Sequence, residues 1–280
     1  MEMWHNYTGR LPTFAIRLYW RYPNSKGTIM VTRQEIQATC DDIVREFAPL
    51  QVVLFGSYAY GAPTELSDVD LLVVMPVPKS EARQREIEIR RHLARPFHLH
   101  VLVHSPEDLA YRLAYNDWFL REITEKGEVL YETPNFFLKP VKKEEDAMNP
   151  LTEEWGQKAE GDYTVAQQSA QGQNPVNDVI CFLAQQCVEK YLKAWLQEAN
   201  IPFPRTHDLK ALLNLIVPTL PASEAWGEDF SKLSEHAVDP RYPGKFATAD
   251  ETAHAMRICD KVRRAVREQL KLPLEPSEAH

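Results

Sequence analysis

The chain has 280 residues, 44% of them apolar, which is enough to fill two packed cores. Its 40 acidic and 32 basic side chains leave a formal charge of −8, which argues against the broad basic surface of a general DNA or RNA binder, so nucleic acid is not an expected partner. Cys40, Cys181, Cys187 and Cys259 form no C-x-x-C pair and have no histidines at zinc spacing, and no apolar run reaches the length of a signal core or membrane span. Reduced thiols, a cytoplasmic location and no membrane partner are expected.

Residues 1 to 30 are aromatic and basic, with Pro12, Pro23 and Gly27, and keep no single period, so they are set aside as an N-terminal extension of 1–31 without an assigned role. From Thr32 a helical pattern puts Ile36, Cys40, Ile43, Val44 and Phe47 on one side, and Thr32 with Glu35 resembles a capping box. A strand is predicted over Gln51 to Phe55, followed by Gly56-Ser57 opening a helix. Gly56 has no Cβ, so backbone can approach a phosphate, and Ser57 adds a hydroxyl beside the N–H groups of the next turn. Gly61, Ala62 and Pro63 turn the chain back toward Asp68 and Asp70, two apart at the start of a second strand. Alternation points both carboxylates to one face, where hard oxygen ligands suit Mg²⁺ against phosphates. A second acid entering an apolar strand is costly without such a partner.

A charged helix follows over Ser80 to Leu93, with Ala82, Ile87 and Ile89 on its thin apolar side, and then a strand over Phe97 to Val103. Ser105-Pro106-Glu107 starts one helix carrying Leu109, Leu113, Trp118, Phe119 and Ile123, which Gly127 stops, and Glu128 to Tyr131 returns as a short strand. Residues 134–150 read as a linker, rich in proline and charge. Beyond them strand signals vanish. Helical windows cover Leu151 to Gln171, Asn174 to Ala199, His207 to Val217, Ala222 to His236 and Thr248 to Leu270. The second is apolar nearly all round, which places it at a packed centre. Lys190 and Lys193 either face a ligand across the cleft between the domains or dress the exposed side of this helix, the second being preferred, and His207 with Asp208 is expected at the cap of the third helix.

Gly56-Ser57, ten residues, then Asp68-x-Asp70 with a strand on either side resembles the DNA polymerase β-type nucleotidyltransferase superfamily, in particular the minimal nucleotidyltransferases. Trp155-x-x-Lys158-Ala159-Glu160-x-Asp162, Gln185-Gln186-Cys187-Val188-Glu189-Lys190-x-x-Lys193-Ala194 and Arg205-Thr206-His207-Asp208-Leu209 resemble the HEPN family, as does the loop Asp239-Pro240-Arg241-Tyr242-Pro243-Gly244. The expected fold is an α/β (α+β) nucleotidyltransferase domain with a mixed sheet over 32–133, followed by an all-α HEPN-like bundle over 151–272 and a tail of 273–280.

The resemblance implies phosphate binding by Gly56 and Ser57, Mg²⁺ binding by Asp68 and Asp70, and transfer of a nucleoside monophosphate, AMP from ATP, to a hydroxyl of an unidentified small molecule or protein. It also implies a third carboxylate on the neighbouring strand, and the alignment of Ser105-Pro106-Glu107 puts His100 in its place. Two consequences stay open: His100 serves as the base, an imidazole being suited to the task, or turnover is lost and the chain is a nucleotide-binding regulator or toxin-antitoxin-like module. His98 shares the face of His100. Arg241 and Tyr242 are candidates to grip phosphate and stack on a base. The Arg–His spacing of HEPN ribonucleases does not occur, which makes RNA cleavage the third reading. The site is expected in the cleft between the domains and a homodimer through the bundle helices. A pocket for an aminoglycoside would offer many acids, and none is located in the helical half.

Overall fold

The computed structural model describes residues 30–143, 147–238, 244 and 246–273. The Thr32 hydroxyl accepts from Glu35 N–H while the Glu35 carboxylate accepts from Thr32 N–H, the reciprocal cap expected there, and it starts α1 (Arg33–Phe47). The chain then runs β1 (Gln51–Phe55), α2 (Ser57–Tyr60), β2 (Val69–Val74), a short 3-10 turn, α3 (Ala82–Leu93), β3 (Leu99–His104), α4 (Pro106–Ala114), α5 (Trp118–Lys126) and β4 (Glu128–Glu132). The four strands form one mixed sheet in the order β3-β2-β1-β4, with β2 parallel to β3 and β1 antiparallel to both its neighbours.

Strand alternation divides this sheet into two dry faces. Val52, Leu54, Val69, Leu71, Val73, Val101 and Val103 pack under α1 and α3 with Ile36, Cys40, Ile43 and Ile89. Val53, Phe55, Leu72 and Val74 face Leu109, Leu120 and Ile123 of α4 and α5. Because both faces are covered, β2 reads as the near-continuous apolar run Val-Asp-Leu-Leu-Val-Val, and Asp70 is its single polar interruption.

Two elements differ from the sequence reading. The third strand begins at Leu99 and continues to His104, since pairing with β2 decides its ends. The single helix expected after Ser105 is two: Asn116 takes the left-handed conformation at φ 59°, and the Asp117 carboxylate restarts the backbone by accepting from Leu120 N–H.

The second half is helical throughout its described residues: α6 (Pro150–Gln171), α7 (Asn177–Glu198), α8 (Leu209–Ile216), a 3-10 turn over Pro221–Trp226, α9 (Gly227–Val238) and α10 (Ala249–Gln269). As its composition implied, α7 lies at the centre, packed by α6, α8, α9 and α10 around Cys187, Val188, Tyr191 and Leu192. The four cysteines are buried and free. Burial pushes the Cys40 thiol up to about 12, with the Asp41 charge adding to the effect. Among the described residues no helix is long and apolar enough to cross a membrane.

The halves meet where the α4–α5 break faces the end of α7. Gln197 donates to the carbonyls of Tyr115 at 2.9 Å and Asn116 at 3.1 Å, and the Asn149 amide donates to the same Tyr115 carbonyl at 3.0 Å. Arg112 reaches across to Glu154 at 2.8 Å. The break that the helical pattern hides is therefore what supplies free carbonyls to the interface.

Candidate nucleotide site and interdomain cleft

Sheet topology brings the expected residues to one end. The register sets Phe55 opposite Asp70 and Asp70 beside His100, in a row across three strands. Gly56 follows Phe55 directly, and a Cβ on it would fall 2.4 Å from Asp70 Oδ2. Its φ of 71° with ψ of −150° is a conformation essentially confined to glycine. Backbone and carboxylate are thus pressed together at this end of the sheet. Ser57 opens α2, and Asp68 stands exposed just before β2, where it lines a hollow with Val31, Tyr58, Leu66, Phe97 and His98.

His100 is where the alignment placed it. Its Nδ1 lies 2.9 Å from Asp70 Oδ1, with the two side chains 33% and 20% exposed. That contact leaves Nε2 as the nitrogen able to take a proton. His98 is exposed, and its carbonyl accepts from Val69 N–H at 2.9 Å, which extends the β2–β3 ladder to the level of Asp68. The donor set suits Mg²⁺ in part: Asp68 and Asp70 offer two hard-oxygen carboxylates at the start of β2. Among the described residues no group of three or more His, Cys, Asp or Glu side chains is placed to hold a metal. Arg241 and Tyr242 lie outside the described residues.

From His100 a line of rings leads into the cleft between the halves. His100 meets Phe55 edge to face at 6.3 Å, Phe55 meets Phe119 at 5.8 Å, and the Arg205 guanidinium lies over Phe119 at 4.7 Å. Phe119 lines a cavity of about 360 Å³ together with Trp118, Trp155 and Phe203. Its charged lining is Arg112, Asp117, Glu154, Lys158 and Lys190. Sequence reasoning placed Phe119 and Trp118 on a helix face and Arg205 in a motif, but had no signal that they converge, since they come from elements more than eighty residues apart.

Two expectations on the bundle are corrected. Lys190 and Lys193 are not on a solvated face. Lys193 is buried against Glu189 at 2.8 Å and over the Trp155 ring, while Lys190 pairs with Asp162 and lines the cleft. Asp208 caps α8 by accepting from Lys210 and Ala211 N–H, but His207 turns away, with Nδ1 3.0 Å from Glu189. Burial acts to raise the Glu189 pKa, and the Lys193 hydrogen bond and charge outweigh it, with help from His207, so the net direction is down.

The architecture is an α/β domain with a mixed four-stranded sheet followed by a helical bundle. Residues 38–131 match the nucleotidyltransferase domain and residues 152–269 match the HEPN domain, so the chain carries the first followed by the second. Among curated proteins, none matches this chain in sequence. An archaeal HEPN homologue of known structure is 24% identical over 42% of this chain and 97% of its own, with a TM-score of 0.35. A spectinomycin adenyltransferase from Enterococcus faecialis, solved with ATP and spectinomycin, is 11% identical over 83% of this chain and 100% of its own, with a TM-score of 0.41.

Proposed function

We propose that the protein transfers AMP from ATP to a hydroxyl group of a small molecule or protein, with Mg²⁺ at Asp68 and Asp70. The observation that carries this reading is the closeness of Gly56 to Asp70, where any Cβ would strike the carboxylate. The glycine lets the start of α2 and the Asp70 carboxylate share one end of the sheet, which supports phosphate and cation binding side by side there. Gly56 and Ser57 hold the triphosphate. Asp68 and Asp70 would hold Mg²⁺, which would neutralise the charge that builds on the leaving group.

In the step itself, the acceptor oxygen attacks the α-phosphorus, the bond from that phosphorus to the bridging oxygen breaks, and pyrophosphate departs with the bond's electron pair. The hydroxyl proton passes to His100 Nε2, whose ring is oriented by the contact of Nδ1 with Asp70. Phe55 packs edge-on against the imidazole and limits its swing.

The test is release of pyrophosphate and transfer of label from α-labelled ATP, with cell extract as the source of acceptor. Both are expected in the wild type and absent in the Asp68→Ala/Asp70→Ala variant. His100→Ala is expected to lower transfer by about 100-fold or more while leaving nucleotide affinity within about twofold. Undiminished transfer in that variant removes the base role. Nucleotide binding with no release under any condition favours the second reading, a nucleotide-occupied regulator, which the histidine at the third-acid position supports. Homodimerisation through the bundle belongs to the same proposal, and a solution mass of two chains is its expected outcome.

A further inference from the structure

The charges in the interdomain cleft are unevenly satisfied. Its two carboxylates are both consumed: Asp117 accepts from Arg112 at 2.9 Å and from Leu120 N–H at 3.1 Å, and Glu154 accepts from Arg112 at 2.8 Å with Lys79 at 3.5 Å. Gln197 spends its amide on the Tyr115 and Asn116 carbonyls. Arg112 and Lys190 are paired as well, but three other donors are not. Lys158 is exposed in the cleft with no carboxylate partner among the described residues, and Arg205, over Phe119 at the rim, likewise has none. The indole N–H of Trp118 is buried with no hydrogen-bond partner. Acceptors used up and donors left over describe a site waiting for an acceptor-rich, negatively charged ligand.

Shape adds the second constraint. The cleft holds about 360 Å³ between Trp118, Phe119, Trp155 and Phe203. Trp155 and Phe203 stand edge to face at 6.2 Å, so their rings form a rigid corner that suits a flat ligand. A polyamine would find neither an available carboxylate nor relief from Lys158 and Arg205.

We propose that this cleft takes an anionic acceptor with a planar ring, its charge held by Lys158 and Arg205 and its ring set in the Trp155–Phe203 corner. Naming the ligand an acceptor rests on the transfer reading above; its charge and shape rest on the cleft. The line of rings from Phe119 through Phe55 to His100 connects the cleft wall to the proposed base.

Calorimetric titration of the full-length protein with para-hydroxyphenylacetate, and with tyramine as its cationic counterpart, tests the charge. The anion is expected to bind at least about tenfold tighter, and Lys158→Glu and Arg205→Glu are each expected to weaken it by about tenfold, since each reverses an exposed cation with no carboxylate partner. Preference for tyramine, equal binding of the two, no binding of the anion, or indifference to both reversals overturns the proposal. The donor nucleotide is itself a planar anion, so the titration is repeated with a saturating non-hydrolysable ATP analogue. Retained binding supports the acceptor, and displacement assigns the cleft to the donor and overturns it. Asp70→Asn separates the two readings, because it is expected to abolish pyrophosphate release and leave binding of the anion intact. If the anion binds as expected but no ATP turnover is found in the wild type, the transfer reading falls and the cleft's ligand class stands.

Discussion

At Gly56 two independent constraints coincide. A side chain there would be strained by φ of 71° and would also meet Asp70 Oδ2 at 2.4 Å. Gly56→Ala is therefore expected to displace the aspartate even if the protein folds, lowering kcat/KM for nucleotidyl transfer by about 100-fold, the scale of a 1 Å misplacement. The unfolding free energy is expected to fall by about 2 kcal/mol from backbone strain. Steady-state kinetics beside a urea melt separates the two effects, and activity within twofold of wild type would show that the close approach is not needed. The carboxylate pair and the glycine were legible in the sequence because their chemistry lies in residue type and spacing. The contact between His100 and Asp70 was legible only as a substitution in an expected position; its distance depends on the parallel register of two strands thirty residues apart.

The elements show which signals are local. Caps were readable: Thr32 with Glu35, and Ser105 before Pro106, use side chains three residues from the groups they satisfy. Gly127 is another local stop, and the sheet gives it a second reason. A Cβ there would lie 2.3 Å from the Ile123 carbonyl and 2.6 Å from a Val53 methyl, so Gly127→Ala forces α5 away from β1. A loss of about 2 kcal/mol in urea unfolding is expected, with no change in nucleotide affinity if the sheet end is undisturbed. The break at Asn116 was not readable. Apolar residues keep a helical rhythm across it, and the backbone departs from the helix where Tyr115 and Asn116 give their carbonyls to Gln197 across the domain boundary. Lys190 and Lys193 failed for a related reason: Asp162, the partner of Lys190, comes from another helix, and although Glu189 lies one turn before Lys193, nothing local shows that the pair is buried under Trp155.

Across the molecule, the two halves keep separate cores, and the bundle is pinned by ions of its own. Glu160 accepts from Arg263 at 2.7 and 2.9 Å, lies 3.1 Å from Arg267, and receives the Tyr191 hydroxyl. Burial acts to raise its pKa, but these hydrogen bonds and the two arginine charges outweigh it and hold the group below its ordinary 4.5. A carboxylate depressed in the folded state stabilises the fold above its unfolded pKa, and that contribution is lost as pH falls through the folded value. Glu160→Gln is thus expected to cost about 3 kcal/mol at neutral pH, because it removes the carboxylate charge that Arg263 and Arg267 both contact, and to cost progressively less as acid protonates the wild-type group. Calorimetry should show the bundle transition moving while the nucleotidyltransferase domain's stays. A pH-independent difference between variant and wild type would refute the linkage.

The sequence by itself determined the two-domain plan, the mixed sheet before a helical bundle, and the residues around Gly56, Asp68 and Asp70. Those are properties of apolar period, turn chemistry and short spacing, which a chain carries locally wherever it folds. Tertiary structure decided what the two halves make together. Phe119 and Arg205 meet over a ring, Arg112 satisfies Asp117 and Glu154 at once, and Lys158 is left without a counter-charge among the described residues, because the fold sets apart or joins groups that sequence distance leaves unrelated. The net charge of −8 says nothing of this, since it sums over the chain what burial and pairing distribute in space.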